Sequence, residues 1–206
     1  MAELIDIYTE DGEYVGVADR LVAHTFALWH KTVHCWVVLA DGRVVFQRRS
    51  HLKKDNPGKL YTTASGHLRA GETVEQGFVR EIAEEIGLEP RTPRSIKQGK
   101  WSGDFTLGDG SVLRERVIYY MFFDVFDIPL SEFKFQDGEV DGVVAVSIPD
   151  FARLADGLAG SIEGEEFDGR EVRRIALRPD DFCMAAGENI KDKYASTFKK
   201  IQEAMQ

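Results

Sequence analysis

Three carboxylates dominate the stretch of this chain that is best equipped for chemistry. Glu81, Glu84 and Glu85 stand at i, i+3 and i+4 inside Val74–Ile86. Apolar spacing predicts a helix there, which puts all three acids on one face. Like charges on adjacent turns repel and weaken an isolated helix. Two readings are therefore open. The glutamates form a solvated acidic face, since charge runs are common, or they hold a hard divalent cation, Mg²⁺ or Mn²⁺, through carboxylate oxygens with room left for water and phosphate. The helix is well bounded. Thr73 is an N-cap with Gln76 completing a capping box, and Gly87 ends the last turn. Val74, Phe78, Ile82 and Ile86, joined by Val79, make the stripe expected to face the core. Gly77, one turn before Glu81, costs about 1 kcal/mol relative to alanine in mid-helix, so either phosphate access or tight packing must explain it.

The segment before the helix separates the two readings. Gly66 to Leu88 reads GHLRAGETVEQGFVREIAEEIGL. Gly66, five residues, Glu72, seven residues and then Arg80-Glu81-Ile82-Ala83-Glu84-Glu85-Ile86-Gly87-Leu88 resemble the signature of the Nudix hydrolases at every fixed position. At average residue frequencies such a match arises by chance roughly once in ten million chains of this length. The resemblance implies an α+β fold, the Nudix α/β/α sandwich with a mixed β-sheet. It also implies hydrolysis of a phosphoanhydride bond in a nucleoside diphosphate derivative or related small metabolite, by water attack on phosphorus. By similarity Glu84 and Glu85 are direct metal ligands, Glu81 is a ligand or orients water, and the Gly66 carbonyl adds a ligand. Arg80 and Glu72 form an ion pair bracing the loop on the helix.

A second resemblance spans roughly residues 4–150. IDIYTEDGEYVGVADR, the stretch His24–Trp29, HKTVHCWVVLADGRVVFQRRS and TTASGH are similar to the isopentenyl-diphosphate isomerase branch of the same superfamily. That branch carries a catalytic cysteine before its Gly-His pair. Here Ser65 stands at that place, before Gly66 and His67, and the box is intact rather than degenerate. Both departures favour hydrolysis, with isomerisation and non-catalytic metabolite sensing as the alternatives. The resemblance aligns His34 and His67 with metal-binding histidines of the isomerases. Taken alone, His34 on a strand is more often a hydrogen-bonded core residue, and Cys35 beside it faces the other way.

Weaker candidates surround this core set. Arg48 and Arg49 end a strand facing opposite ways, one suited to clamp phosphate through its planar fork and the other a surface charge. Glu115 and Glu139 are each a candidate for a base or extra ligand outside the box. Trp101, Phe105, Tyr119 and Tyr120 could stack on a base, although aromatic residues at strand spacing usually belong to a core.

The elements that must position these residues follow from periodicity and turn chemistry. Leu4–Tyr8 and Tyr14–Val17 flank Glu10-Asp11-Gly12 as a hairpin, and Asp19–Trp29 reads as a helix. Val33–Ala40 and Arg43–Arg48 flank Asp41-Gly42, the strongest hairpin signal in the chain. Strands are expected at Ser95–Phe105 and Leu113–Phe126 around Gly108-Asp109-Gly110, then at Val140–Ile148 and Glu171–Leu177, with a helix over Pro149–Leu158. Ile190, Tyr194, Phe198, Ile201 and Met205 recur at helical spacing; that helix packs on the body or against a second copy in a homodimer. The organisation reads as residues 1–29 packed on the core, 30–158 as the hydrolase domain, and 159–206 as an extension of the same domain.

Composition sets the outer bounds. The 206 residues carry a formal charge of −9 and are 43% hydrophobic and 30% charged, an ordinary globular balance. A net negative chain is a poor fit to a nucleic-acid polymer, and it needs bridging cations to hold a small-molecule diphosphate. The longest apolar run, Val117–Phe123, is far short of the ~20 residues that span a bilayer. No signal peptide is visible at the start. Two cysteines, Cys35 and Cys183, fit a reduced cytoplasmic chain better than a disulfide scaffold.

Overall fold

The computed structural model describes residues 3–106, 110–184 and 188–206. Its centre is a long strand, β3, Trp29–Leu39, joined through Asp41-Gly42 to β4, Arg43–Arg49. Gly42 has φ +86°, the left-handed turn conformation that glycine adopts without strain. β1 (Leu4–Tyr8) and β2 (Tyr14–Asp19) form the expected N-terminal hairpin, and β1 continues the sheet beside β3. On the far side of β4 lie β9 (Val140–Ser147), β10 (Ile162–Phe167) and β11 (Val172–Leu177) in antiparallel order. β8 (Val112–Phe126) runs parallel to β3 along nearly its whole length, and β7 (Arg94–Thr106) pairs antiparallel with β8. The sheet is therefore mixed. Gly108 and Asp109, expected in the turn between β7 and β8, lie outside the described residues.

β3 and β4 pair only at Val37–Val45 and Val38–Val44 and then diverge. The wedge between them takes two short strands, β5 (Leu60–Thr62) on β4 and β6 (Ala64–His67) on β3. Sequence alone reads this stretch as a glycine-rich approach to the helix, because its strands are too short to show alternation. Alternation along β3 sends Val33, Cys35, Val37 and Leu39 to one face and His34, Trp36 and Val38 to the other. The first set packs under α2, Val74–Ile86, with Phe78, Ile82 and Ile86. The second packs with α3, Ile148–Ala155, and with Tyr194, Phe198 and Ile201 of the C-terminal segment. Helices thus cover both faces of the sheet.

Several boundaries differ from the sequence reading. The helix expected over Asp19–Trp29 is α1, Arg20–Thr25; Ala27 takes a left-handed φ of +54°, and Trp29 already belongs to β3. Val79 is 42% exposed rather than part of the buried stripe, because it lies about 100° around the helix from Phe78. β10, sequence IEGEEF, is too acidic to read as a strand, but Glu166 is buried there between Arg48 and Arg173. The C-terminal helix opens with a π-helical turn, Lys191–Ala195, and continues as α4, Ser196–Met205. Its apolar face, Ile190, Tyr194, Phe198 and Ile201, is absorbed by this chain's own core. Cys35 and Cys183 are both buried free thiols. No described helix is long and apolar enough to cross a membrane.

Candidate active site and metal centre

α2 carries the capping expected of it. The Thr73 side chain accepts from the Gln76 backbone N–H, Gln76 answers at the Thr73 N–H, and Gly87 closes the helix at φ +68°. Glu81 and Glu85 face the wedge between β3 and β4, and both are buried. Glu85 Oε2 accepts from the Gln47 side-chain amide of β4 at 3.0 Å and from the Ser65 backbone N–H of β6 at 3.2 Å. The divergence of the two central strands is what makes this approach possible. A Cβ on Gly66 would overlap the Glu81 carboxylate, so only glycine lets the acid reach the strand. Burial and the neighbouring Glu81 charge push the Glu85 carboxyl up to about 8. Glu81 is raised as well, by burial, although Arg80 opposes the shift. Two acids forced together against their solvation, beside a close backbone, fit a divalent cation that would restore both charges.

Arg80 is the organiser. It reaches Glu72 through Nε at 2.7 Å and Nη2 at 2.8 Å, Glu81 at 2.6 Å, Glu84 at 3.2 Å and the His67 carbonyl at 2.9 Å. These bonds hold the loop on the helix in the arrangement the sequence implies. Glu84, expected as a direct ligand, lies at the outer edge of this group. Its side chain is 40% exposed and is shared by Arg69 and Arg80 rather than turned to Gly66. Gly77 is a packing glycine, since a Cβ there would overlap Leu68 and come within 3.0 Å of Val33.

The two arginines offered as phosphate clamps are already engaged. Arg48 bonds Glu166 and the Gly58 carbonyl, whereas Arg49, buried rather than a surface charge, is held by Asp55 at 2.6 Å. A bulge between them breaks the simple alternation that the sequence reading assumes. Glu139 pairs with Lys53, and its charge is felt at Glu85. Trp101 and Phe105 stack on each other at 5.3 Å. Tyr120 packs against the core beneath α2.

A second constellation was only half legible. His24 from α1, His30 from β3, His67 from β6 and Glu115 from β8 place four ligand atoms within 4.8 Å of one another. His30 Nδ1 lies 2.8 Å from the Leu28 carbonyl and donates to it, which fixes the tautomer and leaves Nε2 with a lone pair aimed inward. The Nε2 atoms of His30 and His67 are buried with no hydrogen-bond partner among the described residues. Burial lowers all three imidazoles, His30 to about 4, and raises the Glu115 carboxyl to about 7. Neutral imidazoles, two of them with unpartnered Nε2 atoms among the described residues, beside one carboxylate, fit a borderline-soft divalent ion such as Zn²⁺ or Fe²⁺. His34, aligned by resemblance with His67 as a ligand, stands apart between Tyr61 and Tyr119, 6.0 and 5.8 Å away ring to ring. His24 and His30 escaped the sequence reading because nothing in their spacing predicts that a helix, three strands and the bend at Ala27 converge.

The model of the NUDIX domain matches residues 28–163. The chain belongs to the Nudix family. An uncharacterized Nudix hydrolase of Clostridium acetobutylicum is 31% identical over 188 residues, covering 87% of this chain and 89% of the relative. An isopentenyl-diphosphate Δ-isomerase of Cutibacterium acnes is 33% identical over 97 residues, about half of each chain. Among solved structures, a Deinococcus radiodurans protein superposes with TM-score 0.57 at 22% identity, covering 75% of this chain and 90% of that one, a likeness of fold. The Nudix match contains every box residue, and the N-terminal hairpin with α1 and the segment from residue 164 onward lie outside it.

Proposed function

We propose that this Nudix protein is a metal-dependent pyrophosphohydrolase that cleaves a phosphoanhydride bond in a small diphosphate metabolite. The observation that carries this reading is the buried Glu81–Glu85 pair set against Gly66 and Ser65 by the diverging strands. Glu81, Glu85 and the Gly66 carbonyl would hold the cation. When bound, Mg²⁺ or Mn²⁺ polarises phosphoryl oxygens and lowers the pKa of water. Gln47 and the Ser65 N–H fix the rotamer of Glu85. Arg80, saturated by Glu72, Glu81, Glu84 and the His67 carbonyl, acts by holding the loop and not by clamping substrate. In the reaction a water oxygen bonds phosphorus, the bridging P–O bond breaks, and the proton leaves with the released group. Glu139, near Glu85 and paired with Lys53, is better placed than Glu115 to accept a proton at the box.

A panel of nucleoside diphosphates, sugar nucleotides, dinucleotides and prenyl diphosphates, incubated with Mg²⁺ in ¹⁸O water, tests the reading. Label should enter one phosphate product, and turnover should vanish in excess chelator. Full activity under chelation, or no labelled product from any substrate, would overturn it and bring metabolite sensing forward.

The histidine–glutamate cluster favours one second reading, isomerisation of an allylic diphosphate, since it faces the same side of β3 as Ser65. Moving a proton at carbon needs an acid–base pair over the alkene, and the Ser65 hydroxyl is a far weaker acid than a thiol. Isopentenyl diphosphate in heavy water should therefore show no deuterium uptake by NMR; uptake would make the isomerase reading the right one.

A further inference from the structure

Beyond the box, β3 and β6 carry a corner that neither the hydrolytic chemistry nor the histidine–glutamate cluster uses. His34 lies directly opposite Ser65 in the antiparallel register, so the two side chains share a face. The His34 ring is walled by Tyr61 and Tyr119. Two ammonium groups flank these walls. Lys97 Nζ stands 5.6 Å from the Tyr119 ring centre, and Lys193 Nζ stands 5.3 Å from that of Tyr61. Lys97 sits beside a bulge in β7, a device that re-aims a side chain. Lys193 comes from the C-terminal segment, in the π-helical turn that seats Tyr194 in the core.

The charge balance here is unusual for an acidic chain. Among the described residues Lys97 makes no ion pair, and Lys193 has one, at 3.5 Å to Glu188. Both lysines, after burial, hold the His34 ring neutral, so each charge is felt at the ring. The His34 side chain has no hydrogen bond among the described residues, although the residue is not fully buried. Two ammonium groups beside the tyrosine walls, with the imidazole between those walls, offer donors from more than one direction, which suits a tetrahedral dianion better than a flat carboxylate.

We infer that the Lys97–His34–Lys193 corner, between Tyr61 and Tyr119, binds a phosphoryl group of the substrate other than those of the linkage cleaved at the box. This rests on the pyrophosphohydrolase reading and deepens it. The favoured substrates are those with phosphoryl charge beyond the cleaved linkage. It also gives the C-terminal segment, outside the Nudix match, a direct part in specificity.

The test uses the full chain in chelator, where no cation at the box can recruit the anion. Inorganic phosphate is titrated into the wild type, Lys97→Met, Lys193→Met and the double variant, with ¹⁵N-imidazole NMR of His34 as the site readout and circular dichroism as the check on folding. The wild type should bind saturably and shift the His34 resonance. Each substitution should weaken binding about tenfold, the loss of one charge-assisted contact, and Lys193→Arg should retain it. Acetate should bind at least tenfold more weakly. Equal binding by a folded double variant, an unmoved His34 resonance in the wild type, or acetate binding as tightly as phosphate would each overturn the assignment. Failure of the hydrolase reading looks different: phosphate would still bind this corner while no diphosphate is cleaved in the presence of Mg²⁺.

Discussion

Glu85 shows how much chemistry a single side chain can be made to carry by where its helix points. It is buried, shares its surroundings with Glu81 and is held by two donors from different strands. Glu85→Gln keeps the shape and one acceptor oxygen but removes the anionic carboxylate proposed to hold the cation. Turnover of a cleaved diphosphate should fall by about 10² or more, because charge stabilisation at phosphorus is lost. Above about pH 8, where the wild-type carboxyl is charged, the thermal midpoint in chelator should hold or rise, since like charge buried against Glu81 is relieved. A variant that keeps near-native turnover would remove Glu85 from the metal site. Gly77 belongs to the same scale with the opposite logic. Alanine would gain about 1 kcal/mol of helix propensity but must displace Leu68 and press on Val33, an overpacking cost of about 1–3 kcal/mol. Gly77→Ala should therefore be less stable by up to about 2 kcal/mol in urea unfolding, with little change in KM.

At the scale of elements, the loop that precedes α2 is tied down by Arg80 and Glu72. Arg80 pulls the Glu72 carboxyl below its ordinary value, outweighing the rise from burial, with help from the Arg69 N–H. A depressed carboxyl contributes stability that is present above its unfolded value near 4.5 and is lost as pH falls through the lower folded value. Glu72→Gln should cost about 1–3 kcal/mol at neutral pH, and its stability should converge with that of the wild type in acid. Parallel curves from neutral pH down to pH 3 would mean that the pair does not stabilise the loop. The motif residues of this loop and helix were legible because the spacing, the caps and the box are local in sequence. The wedge was not. β5 and β6 span three and four residues, too few to alternate visibly, and the engagement of Arg48 by Glu166 depends on a strand whose acidic sequence hides it. Glu84 shows the same limit from the other side: its place on the helix was readable, whereas its capture by Arg69 required knowing where the loop folds back.

Across the whole molecule, the histidine–glutamate cluster joins segments that are far apart in the chain. His24 lies in α1, His30 in β3, His67 in the box loop strand and Glu115 in β8. The small cluster of Ile5, Ile7 and Ala23 is the main apolar anchor of the N-terminal hairpin and α1, while Leu21 and Phe26 remain exposed. An ion bound by all four ligands would therefore fasten the least anchored part of the fold to the sheet. Binding only to the native state stabilises by RT ln(1 + [L]/Kd), about 2.7 kcal/mol at a hundredfold excess over Kd. For a chain of this size each kcal/mol moves the midpoint by about 2–4 °C, so Zn²⁺ should raise it by about 5–10 °C. Mg²⁺, which favours all-oxygen shells, should act only through the box glutamates and raise it less. His67→Ala removes one imidazole without touching the box carboxylates and should abolish the excess shift from Zn²⁺ while leaving the Mg²⁺ shift in place. Hydrogen exchange should localise the added protection to α1 and the N-terminal hairpin. Equal shifts from Zn²⁺ and Mg²⁺ in both wild type and His67→Ala would mean that the four ligands hold no ion of their own, and the neutral, inward-facing imidazoles would then have to be explained by packing alone.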